Sequence, residues 1–209
     1  MIHKSNKFYH HDDDEEDNLQ IHHTVVQSIT NRIRVMEPFY EELVPDLFGL
    51  DFIDTSCFSI ENLVDRFQQF YYENEVIVPA VANSFAIKDY SLLGKLVDWS
   101  HKQTIELLEN TLPETEWLPN WARGIVEDNN TRSDSSPKCE RVYALAASVF
   151  GAGFGGSCWA LVRKDEALSF LNQWRDAYEV KFPSQTCDPD NLPREFFIMR
   201  PGQGALSFG

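Results

Sequence analysis

The sequence predicts a helix-rich α+β protein with a small antiparallel sheet. Several long stretches repeat apolar residues at spacings of three and four, which is the period of amphipathic helices. Later in the chain, two short apolar runs flank a glycine-rich turn, a pattern typical of two buried strands joined as a hairpin. The predicted order is helices, strand, glycine turn, strand, helix and strand, which corresponds to helices layered on a small sheet.

Composition narrows the class of protein. The 209 residues suffice for one domain or two small ones, and the 43% of apolar residues predicts a sizeable core. The formal net charge of -15 argues against non-specific nucleic-acid binding, which requires an excess of Lys and Arg. No apolar run approaches the roughly 18 residues that would suggest a membrane span.

The cysteine pattern and the N-terminus favour a cytoplasmic protein. Cys57, Cys139, Cys158 and Cys187 are widely spaced, without the CxxC pairs of zinc or redox sites. Cys158 lies in an apolar stretch and is expected to be a buried thiol. Met1 is followed by polar and charged residues, so no signal peptide is expected. The expectation is a reduced protein without membrane partners.

Residues 1–20 are expected to form a disordered acidic tail, and residues 21–209 a single domain. The run from Asp12 to Asp17 is entirely acidic and repels itself. The pairs His10-His11 and His22-His23 lie near these carboxylates and would allow metal binding, but a solvated tail is the favoured interpretation.

The first half of the chain reads as consecutive helices. The apolar period predicts a helix over residues 24–44 and a second one from about residue 61, with Ser59 as its N-cap. Residues 76–87 continue as a helix in which Pro79 is expected to cause a kink. Asp89 or Ser91 is expected to cap the next helix, which contains His101.

The second half mixes helices and strands. Pro113 suits the first turn of a helix that Thr111 is expected to cap. The polar residues 127–138 predict a loop, a hairpin is expected over about residues 145–163, and Asp165 is expected to cap a final helix. The apolar stripe of that helix is predicted to consist of Ala167, Leu168, Phe170, Leu171, Trp174, Tyr178 and Val180. Residues 183–193 read as a loop and residues 195–200 as a last strand.

The turn of the hairpin is the strongest candidate for a binding site. Four of its six residues are glycines, which permit positive φ and leave room for a ligand to approach the backbone. Consecutive exposed N–H groups can form a nest for a phosphate. No Gly-Lys-Ser/Thr follows, and a strand rather than a helix comes next, so neither a Walker motif nor a dinucleotide fingerprint is present. The candidate residues are Gly151, Ala152, Gly153, Phe154, Gly155 and Gly156; a plain hairpin turn is the alternative.

Three segments together indicate a function more specifically than the glycine loop does alone. The segment from Gly151 to Gly156 resembles the third motif of the galactokinase branch of the GHMP small-molecule kinases. Residues 93–101 are similar to that family's segment ending in Ser-His, and residues 113–118 to its Pro-Glu-Leu-Asp-x-Leu segment. The resemblance covers roughly residues 60–165. It implies a helix-rich, ferredoxin-like GHMP kinase C-terminal domain in which residues 127–138 are a loop insertion.

The resemblance also implies a reaction, namely transfer of the terminal phosphoryl group of ATP to a monosaccharide hydroxyl with Mg2+. By this analogy the glycines shape a loop near the nucleotide phosphates, and Phe154 braces it. His101 follows the family's Ser-His segment and is either a site residue or, as favoured here, a packing residue on a helix. No catalytic and no metal-binding residue is assigned in this chain.

The sequence departs from the family pattern in two ways. Ser148-Val149-Phe150 stands where the family usually carries Arg-Met-Thr, and Ser157, followed by Cys158, stands in place of the family's Cys. The family's N-terminal sugar motif, its ATP loop and its catalytic Asp and Arg have no counterpart here. We therefore expect the C-terminal part of a sugar kinase, inactive alone, with a missing N-terminal half as partner.

Two other interpretations remain open. The first is a non-catalytic sensor or interaction module on the same fold. The second is an α+β domain in which the glycines only make a turn. The sequence does not identify the sugar.

Overall fold

The structure, a computed structural model, describes residues 13–35, 59–126, 140–151, 156–183, 196–200 and 202, with side chains in the first range described from residue 19. The chain divides into two compact units, the first within residues 1–111 and the second within residues 112–151 and 156–209. Helices dominate, and the described sheet is one antiparallel pair, which confirms the predicted helix-rich α+β class. The single domain over residues 21–209 stays a prediction.

The first unit is a set of helices. Helix α1 spans Asp13–Val35, α2 Ile60–Tyr72, α3 Val78–Ile87 and α4 Tyr90–Gln103, while π-helical segments span Glu73–Ile77 and Thr104–Leu108. Pro79 lies in the first turn of α3, directly after the first π-helical segment. A proline ring clashes with the carbonyl four residues earlier, and the π-helical segment contains that residue, Glu75. The kink itself stays a prediction.

Helix α1 begins earlier than expected. It starts at Asp13, so residues 13–20 are helical although the sequence predicted a disordered tail there. The acidic residues lie in its first turns, where the N-terminal end of the helix dipole favours negative charge. Among its side chains from residue 19 onwards, Val26 and Thr30 are buried. The expected continuation over residues 36–44 lies outside the described residues.

Two of the predicted caps in this unit are confirmed. The Ser59 hydroxyl accepts a hydrogen bond from the Asn62 N–H at 3.1 Å, and the Asn62 side chain accepts one from the Ser59 N–H, also at 3.1 Å. Of the two candidates before α4, Asp89 is the cap, because its carboxylate accepts from the Leu92 N–H at 2.9 Å.

An exposed ion pair joins α1 to α2 and gives a testable pH dependence. Arg34 donates from Nε and Nη2 to the two carboxylate oxygens of Glu61, at 2.9 and 2.8 Å. This hydrogen-bonded contact lowers the pKa of Glu61 from its ordinary value of 4.5. Since the pKa is lower in the folded state, the pair stabilises the protein above that ordinary value and is lost as the pH falls through the folded-state pKa.

We therefore expect Arg34→Ala to lower stability more at pH 7 than at pH 3. The effect should be small and reduced by salt, because both side chains are in solvent. Chemical denaturation at the two pH values measures it, with Arg32→Ala as the matched control because Arg32 is also exposed in the last turn of α1. An identical pH profile for the two variants would contradict the assignment.

The second unit places a hairpin against two helices. Helix α5 spans Pro113–Ala122, strand β1 Ala146–Val149, strand β2 Cys158–Leu161 and helix α6 Ala167–Lys181. The strands pair antiparallel from Ala146 opposite Leu161 to Val149 opposite Cys158. Their core with the helices is formed by Trp121, Ala122, Ala144, Ala147, Phe170 and Trp174.

Two predicted caps in this unit are wrong. Thr111 does not cap α5; instead the Thr115 hydroxyl accepts from the Leu112 N–H at 2.9 Å. Asp165 does not cap α6, which follows Glu166 without a side-chain cap. A hydroxyl one turn inside the helix satisfies the same kind of N-terminal donor that an N-cap would, so composition alone does not fix the capping residue.

The buried face of α6 is narrower than predicted. Phe170, Trp174 and Tyr178 are buried, whereas Leu168 and Val180 are 65% and 57% exposed. The three buried residues are spaced by four and share one face of the helix. Leu168 and Val180 are each two positions from that series and therefore lie on the other side.

The predicted last strand is wrong for the residues that can be described. Residues 196–200 belong to no strand. Phe196 instead packs its ring on α6, with centroid distances of 5.5 Å to Trp174 and 5.8 Å to Tyr178. The predicted loop at 127–138 lies outside the described residues, as does the predicted loop at 183–193 apart from its first residue. None of the described helices is long and apolar enough to cross a membrane.

Candidate functional site: the glycine hairpin

The predicted strand–turn–strand arrangement is confirmed. Val149 pairs with Cys158 at the end of the ladder, and the Phe150 N–H donates to the Ser157 carbonyl at 2.8 Å, one pair further. Residues 151–156 therefore connect two strands that are paired up to Phe150 and Ser157. One face of the hairpin, including Ala147, Cys158 and Ala160, packs on the core of the second unit. The loop thus begins at a rigid, packed base.

The glycines at both ends of this loop are required by the backbone. Gly151 has a φ of +74° and Gly156 a φ of +118°, which L-residues rarely adopt. A Cβ placed on either residue would meet no atom within 4 Å. The requirement is therefore conformational, and the space beside both positions is open to a ligand. Ala152, Gly153, Phe154 and Gly155 lie outside the described residues, so a nest of N–H groups stays a prediction.

Aromatic and hydroxyl side chains surround the base of the loop. Phe150 is 70% exposed, and its cross-strand neighbour Ser157 is also exposed. Ser148 and Trp159 form the next pair on the same face. Ser148 is buried, so the exposed side chains on this face are Phe150, Ser157 and Trp159, and none of these four residues is cationic.

Cys158 lies beside the loop, but its thiol is unreactive. Its Sγ lies 3.9 Å from the carbonyl oxygen of Thr115 in α5. Burial raises the pKa of this thiol to about 12. The thiolate is the reactive form of cysteine, so Cys158 is not a nucleophile at neutral pH.

The candidate histidines have structural contacts in the first unit. His101 is buried in α4, next to Ser100, whose hydroxyl donates to Glu73 Oε2 at 2.8 Å. This burial agrees with a packing residue. His22 belongs to α1, and its Nδ1 lies 3.0 Å from the hydroxyl oxygen of Tyr71. Within the described ranges, no three His, Cys, Asp or Glu side chains are grouped to hold a metal ion.

Two arginines that sequence reasoning missed fix the approach to β1. Arg123 donates from Nη1 to the Ala144 carbonyl at 2.6 Å, and Arg141 from Nη2 to the Trp121 carbonyl at 2.7 Å. The Arg141 guanidinium also lies 4.2 Å from the ring centroid of Trp121. Together they tie the segment before β1 to the C-terminal end of α5. Isolated arginines beside a polar loop gave no sequence signal for this role.

Comparisons with known proteins give a similarity at the level of structure. No family model matches the chain. Among solved structures, the chain is similar to a galactokinase from Lactococcus lactis in complex with galactose, with 22% sequence identity and a TM-score of 0.49. The match covers 78% of this chain but 38% of the galactokinase chain. Similarity of this degree does not transfer activity or substrate from one protein to the other.

Proposed function

We propose that this chain is the C-terminal part of a cytoplasmic, ATP-dependent sugar kinase of the galactokinase-like type. In this proposal the loop 151–156 lies at the ATP phosphates, and the terminal phosphoryl group passes to a monosaccharide hydroxyl. The observation that carries the proposal is the closed base at Phe150 and Ser157. It holds Gly151 and Gly156 at positive φ beside open space. The order of the three family-like segments supports it.

The proposal requires this chain to supply an anion-binding element and no acid or base. Phosphoryl transfer depends mainly on positioning and on stabilising charge around the transferred group. A rigid hairpin contributes by offering main-chain N–H donors in a fixed place, without side chains that would block the phosphates. The core behind the hairpin fixes its base, since Ala147, Cys158 and Ala160 are packed in it. The loop thus acts as an oriented anion-binding element rather than as a source of acid or base.

Mg2+ would accompany ATP and supply charge neutralisation at the phosphates. The open space beside Gly151 and Gly156, where an added Cβ would meet no atom within 4 Å, supports placing a phosphate group there. The described residues hold no group of three metal-binding side chains, so no magnesium ligand is assigned in this chain. Ligands for the ion come, in this proposal, from the nucleotide and from a partner half.

We further propose that the chain alone has no sugar kinase activity and requires an N-terminal kinase half. The test is reconstitution, in which the chain is co-expressed with the N-terminal half of a galactokinase and sugar-dependent ATP consumption is measured. Gly153→Val is compared with Gly202→Val, a control at a glycine outside the loop, where an added Cβ would meet no atom within 4 Å. Loss of activity for Gly153→Val alone, with unchanged circular dichroism, supports a phosphate role. Sugar-dependent turnover by the isolated 209-residue chain would overturn the proposed incompleteness.

A non-catalytic sensor or interaction module is the second candidate. The exposed Phe150 at the base of the loop favours it, because an apolar ring stands where a polar contact to a substrate is expected. This alternative predicts stable capture of a protein partner without turnover in any reconstitution. Recovery of turnover with an N-terminal half would exclude it.

A further inference from the structure

The outer edge of β2 has hydrogen-bonding groups that β1 does not use. The bond from Phe150 to Ser157 sets the alternation of the ladder, so Ser148 with Trp159 and Ala146 with Leu161 are the other hydrogen-bonded pairs. The N–H and C=O groups of Cys158 and Ala160 consequently point away from β1. In the described part of the chain, no third strand pairs with them.

This edge lacks the features that usually protect an edge strand. Cys158-Trp159-Ala160-Leu161 contains no charged residue and no proline. In β1, Ala146 and Ala147 are almost fully enclosed, whereas Cys158 and Ala160, whose backbone groups form the outer edge of β2, are half-buried. The edge of β2 is therefore the accessible one. Two-stranded sheets are marginal on their own, so a further strand would stabilise the hairpin.

A second feature of the same unit complements this edge. Residues 196–200 have the sequence Phe-Phe-Ile-Met-Arg, which is rich in residues that favour strands. They belong to no helix or strand, and Phe197, Ile198 and Met199 are 65%, 51% and 76% exposed. Phe196 anchors the segment on Trp174 and Tyr178 of α6. The segment is a strand former without a strand partner.

We propose that the chain forms a two-fold dimer in which residues 196–200 of each copy add as a third strand to β2 of the other copy. Both complementary features belong to one chain, yet they do not pair within it, which favours exchange between two copies. In a reciprocal exchange, each copy donates one segment and accepts one, so neither copy keeps a free edge that could recruit a third copy. The inference is independent of the kinase proposal.

Charge sets the expected strength of this dimer. Each copy carries a formal net charge of -15, so two copies repel each other. Salt screens that repulsion over about 10 Å at 0.1 M ionic strength. The dimer should therefore become more populated as salt rises.

Sedimentation equilibrium of the full chain over a range of concentration and salt tests the proposal. We expect Ile198→Pro, which removes an N–H donor and fixes φ, to raise the dimer dissociation constant at least tenfold. Ile198→Ala keeps the donor and should raise it much less. The control Leu168→Ala changes another exposed apolar residue of the unit and should leave it unchanged. A wild-type chain that stays monomeric at high salt, or an Ile198→Pro chain that still dimerises, overturns the proposal.

Hydrogen exchange distinguishes strand addition from other dimers. The amides of Cys158 and Ala160 should become protected on dimerisation, because they point outward. The amides of Trp159 and Leu161 face β1 and should be protected in both states. A dimer in which Cys158 and Ala160 exchange as fast as in the monomer would exclude pairing at this edge.

Discussion

Replacing Trp174 by alanine should lower the free energy of unfolding of the second unit by about 3–5 kcal/mol, the usual cost of removing a buried aromatic side chain. The Trp174 ring lies between Phe170 and Phe196, with centroid distances of 5.3 and 5.5 Å. Its Nε1 also donates to the Leu118 carbonyl at 3.0 Å. The variant therefore loses contacts to α5, to α6 and to the segment 196–200 together. Urea denaturation followed by far-ultraviolet circular dichroism measures the loss.

Two further variants distinguish the loss of buried aromatic contacts from the loss of the hydrogen bond to Leu118. Trp159→Ala removes the same side chain from a position that is 36% exposed and should cost much less. Trp174→Phe keeps an aromatic ring but removes the hydrogen bond to Leu118, which should cost about 1 kcal/mol beyond the change in volume. If Trp174→Ala were no more destabilising than Trp159→Ala, Trp174 would not be the centre of this core.

The features that sequence reasoning predicted correctly are those encoded by neighbouring residues. The hairpin follows from two apolar runs around a glycine turn, and its ladder extends to Phe150 and Ser157. Ser59 and Asp89 each cap a helix through a bond to an N–H three residues later. Interactions of this range depend on local geometry, which residue type and spacing determine.

The features that sequence reasoning missed depend on contacts between distant residues. Residues 196–200 have strand-forming side chains, but strand formation requires a partner edge, and the packing of Phe196 on α6 prevails in the structure. The contact of Arg141 with Trp121 likewise joins residues that no local pattern relates. Leu168 and Val180 are apolar and still exposed, because apolar residues also occur on protein surfaces.

The features of the candidate site also separate into those that the sequence predicts and those that it does not. Sequence reasoning located the loop and identified its glycines, and the structure confirms positive φ at Gly151 and Gly156. Neither a phosphate contact nor the role of residues 152–155 follows from a strand pattern. Such contacts depend on where the N–H groups point, which a sequence does not specify when several glycines allow many conformations.

Replacing Gly156 by asparagine should destabilise the base of the loop by about 1–3 kcal/mol, the usual cost of a strained backbone conformation. Its φ of +118° lies outside the left-handed region that L-residues can enter. Asparagine at Gly151 is the matched control, because a φ of +74° is close to the left-handed region that asparagine tolerates. No neighbouring atom lies within 4 Å of a Cβ at either position, so steric crowding at the Cβ does not contribute to the difference in stability between the two variants.

The measurement is exchange of the Phe150 amide, whose bond to Ser157 closes the hairpin. We expect protection of this amide to fall in Gly156→Asn and to be largely kept in Gly151→Asn. Under the proposed function, turnover after reconstitution should fall in the same order, because a loop with a displaced base would no longer hold its N–H groups where the phosphates are proposed to lie. Equal loss of protection at both positions would show that loss of glycine itself, rather than the backbone angle, controls the loop. Loss of turnover at Gly151→Asn with an intact Phe150 bond would instead indicate a side chain entering space that a ligand requires.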